Sequence, residues 1–245
     1  MSDIIVNVLL CILTIISIVL SVYTAIKTIL INKNEYVILK KKAKRIDSNI
    51  RIINENSYLI NNTGLRNSDE YKLVLYWNSQ YIYASIKEMY PKSAVCIVIR
   101  EYSNHELRTI LKTGDNMFID DSKQIIEENT DFNSIINEGY KYSFVTDLDY
   151  YSSINKDYKN DEAGRKYKYN TSIVFPIKSQ DKDSKIVGLI CVYAENILYK
   201  KKDNDIIIKL LEKTNESFSI TLQNMQSSII NQHIQSSQLI QDGQQ

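Results

Sequence analysis

"TSIVFPIKSQDKDSKIVGLICVYAE", residues 171–195, decides the fold. Two apolar, β-branched runs, 171–178 and 185–194, enclose a segment, 179–184, that is too polar to bury. That pattern predicts a β-hairpin with an exposed turn. Such a hairpin is suited to three jobs: the floor of a ligand pocket, the wall of an active site, or plain core. The flanking sequence has to choose among them.

Upstream, "SAVCIVIREY" (93–102) and "ELRTILKTG" (106–114) predict a second hairpin turning at "SNH", and "YSFVTDL" (142–148) a further strand. Helical spacing fills the gaps. Ser68, followed by Asp69 and Glu70, starts a helix that runs to Tyr90 and stops at Pro91, with Leu73, Trp77, Ile82, Ile86 and Met89 expected inside. Residues 122–138 are helix-like, carrying Ile125, Ile126, Phe132, Ile135 and Ile136. A polar connection, 149–170, precedes the opening hairpin, and so long a loop is more often functional than idle. After it, Ile207, Leu211, Phe218, Leu222, Met225 and Ile229 form one face of a long helix.

Further out, Ile4 to Ile26 carries no charge over about 23 residues, roughly 34 Å as a helix, enough to cross a hydrocarbon core of about 30 Å. The start, MSDIIVN, lacks the basic region of a cleaved leader. Lys27, Lys33, Lys40, Lys41, Lys42, Lys44 and Arg45 follow the apolar run, against Glu35 alone, which places the N-terminus outside and the C-terminal bulk in the cytoplasm. Ser17, Ser21 and Ala25 share one helix face, where small side chains permit close helix–helix approach in the membrane. Beyond the span, Leu39, Ala43, Ile46, Ile50 and Ile53 make a single apolar stripe, read as a basic juxtamembrane stalk helix suited to pairing with a second copy. The expected domains are a transmembrane anchor (1–31), the stalk (32–62), a cytoplasmic domain (63–230) and a polar flexible tail (231–245).

Composition narrows the function. With 30 basic and 29 acidic side chains there is no global field to attract nucleic acid. Cys11, Cys96 and Cys191 are far apart, and His105 and His233 are isolated, so neither a metal site nor a disulfide framework is expected. Cys96 and Cys191 alternate with Val and Ile and are expected to be buried thiols. No phosphate-binding glycine loop, GxSxG or HExxH occurs, so no catalytic residue, enzyme activity or cofactor is assigned. The 18 tyrosines go with abundant Ile, Lys and Asn, as AT-rich codons produce, and carry little functional weight.

The order helix, hairpin, helix, strand, long loop, hairpin, helix resembles the GAF domain. The resemblance lies in Pro176 within Ile173–Ile177, Gly188 leading the apolar run to Val192, and Tyr199 and Asp203 before the last helix; it covers roughly residues 68–225. It implies an α+β fold, a GAF/PAS-like antiparallel sheet flanked by helices, here preceded by the transmembrane and stalk helices. The Asn-Lys that cyclic-nucleotide-binding members carry after the second hairpin strand is absent near Ala194 and Glu195. A pocket under the long loop is expected to draw on Phe144, Thr146, Asp147, Tyr150, Tyr151, Arg165 and Tyr167, with aromatics stacking on a planar ligand and Asp147 and Arg165 holding its polar edges. The resulting expectation is a single-pass sensor of the cell membrane, a homodimer that binds a small-molecule ligand or a protein partner and signals through dimer geometry to a downstream protein. Two alternatives stand beside it: a ligand-triggered membrane effector of a bacterial stress or antiphage system, and a ligand-free dimerisation scaffold.

Overall fold

The computed structural model describes residues 2–63, 67–115, 126–160, 169–195 and 201–242; side chains before Leu20, and a few others including that of Ala25, are outside it. The chain divides into two units, Met1–Arg45 and Ile46–Gln245. The first is the N-terminal part of helix α1 (Ser2–Thr63). Its described apolar side chains, among them Leu20, Tyr23, Leu30 and Tyr36, are exposed. Among the described residues no helix is long and apolar enough to cross a membrane. Most side chains of the apolar run Ile4 to Ile26, including Ser17 and Ala25, lie outside the described set, and Ser21 is exposed.

The second unit is an α+β domain. Strands β1 (Val95–Ser103), β2 (Glu106–Gly114), β3 (Ser143–Val145), β4 (Thr171–Lys178) and β5 (Ile186–Ala194) form one sheet in the order β2-β1-β5-β4-β3. Every neighbouring pair is antiparallel. The opening hairpin is therefore β4–β5, with β5 the middle strand. Asn104 and His105 both take positive φ, 51° and 63°, the requirement of a tight two-residue turn whose twist suits the flanking strands. Pro176 is tolerated inside β4 because β3 pairs only with Ser172–Val174, leaving β4 an open edge beyond.

Alternation along the strands sends Val95, Ile97, Ile99, Ile173, Phe175, Ile177, Ile190 and Val192 to one face. There they meet α2 (Ser68–Met89), α5 (Lys201–Asp242) and the α1 residues Ile46, Ile50, Ile53 and Ile60. The other face carries Cys96, Val98, Val174, Leu189, Cys191 and Tyr193 beneath Phe132 and Ile135 of α3 (Thr130–Ile136) and Ile126 of the 3-10 turn before it. A short helix α4 (Leu148–Ile154) follows β3.

Three expectations change. The isoleucine stripe from Ile46 onward docks into this domain's own core instead of standing free as a stalk. Asn49 Nδ2 donates to Ser85 Oγ at 2.9 Å, Asn56 Nδ2 to Asn78 Oδ1 at 3.1 Å, and Ser217 Oγ to Asn54 Oδ1 at 2.8 Å, tying α1 to α2 and α5. In α2, capped by Asn67, Leu73 and Trp77 are 55% and 52% exposed. They lie on the far side from Ile82, which Leu73 reaches only after about 180° of helix rotation, and Tyr71, Leu75, Asn78, Ile82 and Ile86 form the buried face. Finally, α5 continues to Asp242, through the polar stretch expected to be a flexible tail.

Gly188 lies where strand and helix leave no room for a side chain: a Cβ there would lie 2.4 Å from the Arg100 carbonyl oxygen and 2.7 Å from Leu222 Cδ2 on α5. The backbone oxygen cannot retreat without breaking the β1–β5 ladder. Gly188→Ala is expected to destabilise the domain by about 1–3 kcal/mol, read as a lower urea midpoint at unchanged slope. A midpoint equal to that of the wild type would show that the two elements have slack here.

Candidate functional site

The sheet face turned away from the long helices carries two buried charged side chains, Arg100 and Asp131. In β1 the inward positions on this face are Cys96, Val98 and then Arg100. A β-bulge shifts the register between Ile99 and Arg100, so that Ile99 faces Leu111 while Arg100 faces Thr109. Bulges re-aim side chains, and this one sets the Thr109 hydroxyl against the guanidinium. Arg100 is 0% exposed. Its Nη1 donates to Thr109 Oγ1 at 2.7 Å, and its guanidinium carbon lies 5.4 Å from the centroid of the Phe132 ring, a cation–π distance. Nε and Nη2 have no hydrogen-bond partner.

Asp131, in the first turn of α3, is the acidic counterpart on this face and is buried. Its Oδ1 accepts from Ser143 Oγ at 2.6 Å; its Oδ2 accepts from Tyr158 OH at 2.8 Å, Asn160 Nδ2 at 2.7 Å and Ser172 Oγ at 3.4 Å. One carboxylate thus staples α3, β3, β4 and the segment after α4. Burial pushes its carboxyl above the ordinary value, although these donors favour the charged form. Burial, then the Asp131 charge, likewise push the Tyr158 hydroxyl up.

Cys191 lies beside Arg100, and its thiol is pushed up to about 11, chiefly by burial. At physiological pH that leaves the thiol protonated. Cys96 and Cys191 are both buried and not disulfide-bonded, as their alternation in the strands predicts. Among the described residues no group of His, Cys, Asp and Glu is placed to hold a metal ion.

The residues expected to line a pocket are not gathered. Phe144 is half-buried and packs on the helix-side core, because it pairs with Ile173 on that face. Thr146 is exposed, and its carbonyl accepts from Thr171 Oγ1 at 3.0 Å. Asp147 caps α4, accepting from the Tyr150 N–H at 3.0 Å. Tyr150 is exposed, and Tyr151 packs edge-on against Tyr158 at 4.9 Å. Arg165 and Tyr167 lie outside the described residues. One signal for Arg100 was available: it is the first charge in the apolar run of β1, on the same alternation phase as Cys96 and Val98. Asp131 had no comparable signal, since its partners are scattered over residues 143–172.

A groove of about 890 Å³ lies elsewhere in the domain, between α1 and α5, lined by Asp47, Ile50, Arg51, Asn54, Tyr58 and Lys213. Its charges are exposed and paired with each other, Arg51 with Glu55 and Lys213 with Asp47 at 3.8 Å, so it lacks the desolvated polar group that would orient a ligand.

No protein-family model and no curated protein matches the sequence. Among solved structures, the chain is similar to a GAF domain (TM-score 0.49, 15% identity, 72% of this chain and 88% of that one). It is also similar to the GAF domain of an Acinetobacter phosphoenolpyruvate-protein phosphotransferase (0.45, 11%, 74% and 95%). A third is a GAF domain/HD domain protein from Geobacter sulfurreducens (0.45, 13%, 67% and 97%). The fold is GAF-like: a five-stranded antiparallel sheet with the central hairpin and element order the sequence predicts.

Asp131 makes the site pH-sensitive. Because its folded carboxyl is raised above 3.8, the stability it contributes is fully present below that value and is lost as pH rises through the folded value. Chemical denaturation of the wild type and Asp131→Asn across pH 3.5–8 (roughly the carboxylate range and above) is expected to show wild-type stability, relative to the variant, falling as pH rises. A pH-independent difference would mean that the staple fully compensates the buried charge.

Proposed function

We propose that this protein is a membrane-anchored sensory module whose GAF-like domain binds a small molecule on the sheet face that carries Arg100 and Asp131. The observation that carries the reading is the Arg100 guanidinium: fully buried, held by Thr109 and Phe132, and with two donors unused. A buried charge of this kind is costly to a fold that has no use for it. Anchoring rests on the uncharged run Ile4 to Ile26 and the basic residues after it, which set the domain in the cytoplasm. Signalling is assigned to a homodimer, with output passed to a partner protein; no catalytic role is assigned, since the thiol in the site is neutral.

Two measurements on the full chain test this. Membranes washed with alkaline carbonate are expected to retain the wild type and to release a Leu9→Arg/Leu13→Arg variant, which places charge in the span. Native mass spectrometry of the full chain in nanodiscs, after purification from cells, is expected to show a bound small molecule. A chain that carries no added mass, and that no metabolite in a thermal-shift screen stabilises, overturns the sensor and leaves the scaffold. Release of the wild type by carbonate overturns the anchor.

A further inference from the structure

Within the sensor reading, on which this step rests, the unused chemistry of the site narrows to one edge of one side chain. The Arg100 fork is divided: Nη1 is committed to Thr109, while Nε and Nη2 are both without an acceptor. Those two nitrogens point parallel N–H bonds from the same edge of the guanidinium plane, the pair that engages a carboxylate at two points. Among the described residues no acid is paired with that edge. Asp131, the buried carboxylate of this face, already has its two oxygens engaged by Ser143, Tyr158, Asn160 and Ser172. Cys191, beside the guanidinium, offers a thiol and no negative charge.

We infer that the Nε–Nη2 edge of Arg100 is the recognition point for a small monocarboxylate. One fixed cation suits one negative charge. The surroundings suit an apolar body on the ligand: the Phe132 ring against the guanidinium, and Leu189 and Val98 on the same face of the sheet. A phosphate carrying two charges would have a single cation to hold it and the Asp131 carboxylate to repel it. The bulge at Ile99/Arg100 and the Thr109 hydroxyl fix the guanidinium by its far nitrogen, so the buried, unpaired edge is preorganised instead of free to turn.

The test is calorimetric titration of the full chain in nanodiscs with acetate, pyruvate and benzoate, with their neutral amides, and with inorganic phosphate. At least one acid is expected to bind, at least tenfold tighter than its amide and tighter than phosphate. Arg100→Met, which keeps an unbranched apolar stem, is expected to weaken that acid at least tenfold. Equal binding of acid and amide, tighter phosphate, or unchanged binding by Arg100→Met overturns the inference. Should Arg100→Met fail to fold, the acid-against-amide comparison on the unaltered chain still decides. If none of the acids binds while native mass spectrometry finds an uncharged molecule retained, the carboxylate inference falls and the sensor reading stands. If nothing binds or is retained, both fall.

Discussion

The structure depends on the double burial of the β4–β5 hairpin. From Thr171 to Ile177 every residue of β4 is buried, and β5 is buried from Gly188 to Ala194. A strand covered on both faces cannot be stabilised by one layer, so the chain must provide two. The helices α1, α2 and α5 provide the first. The second is slight: the 3-10 turn, α3 and the segments around them, whose short helices have little apolar surface of their own. What they lack in hydrophobic area is supplied by directional bonds, and Asp131 is where those bonds converge.

Two acids, Asp115 half-buried and Asp131 buried, illustrate how differently the two layers use charge. Asp115, at the end of β2, accepts from Lys87 Nζ at 3.0 Å, Tyr83 OH at 2.8 Å and the Val95 N–H at 3.3 Å, and these donors with the lysine charge outweigh burial to hold its carboxyl below the ordinary value. Its contribution is therefore present above the unfolded value of 3.8 and lost as pH falls. Asp131 has four donors to the three of Asp115 but no cation among them, and its carboxyl is raised. On the helix side the charge is satisfied by the chain itself. On the other face, Arg100 and Asp131 are each bonded to neutral groups.

Much of the fold was legible because its signals are local. The hairpins, the turn at Asn104 and His105, and the buried face of α5 follow from alternation, turn chemistry and helical spacing within a few residues. Where the reading failed, the deciding contact was distant. An isoleucine stripe such as Ile46, Ile50 and Ile53 serves pairing and docking equally well, and only α2 and α5 settle that it docks. Trp77 was expected inside on hydrophobicity, yet the phase of α2 is set by the narrower row through Ile82. Asp147, read for its charge near the long loop, is the cap of α4, since a carboxylate just before a short helix is a cap first. Arg100 was passed over because a charge near a strand end ordinarily marks the approach to solvent, and neither the bulge nor Phe132 is visible from β1 alone.

The position of Arg100 also bears on how occupancy of one face reaches the other. Along β1, Arg100 faces the α3 side, and the next residue, Glu101, accepts from Gln226 Nε2 of α5 at 2.8 Å. The Arg100 carbonyl is one of the two groups that close on Gly188, and the other is Leu222 of the same helix. Sheet and α5 are therefore packed without slack at the strand position that carries the buried cation. Interiors at this density transmit small displacements instead of absorbing them. A ligand that draws the guanidinium by a few tenths of an ångström acts on a backbone whose opposite side is already in contact with α5. Under the sensor function proposed above, with output carried by helices, that is the economical place for the charge.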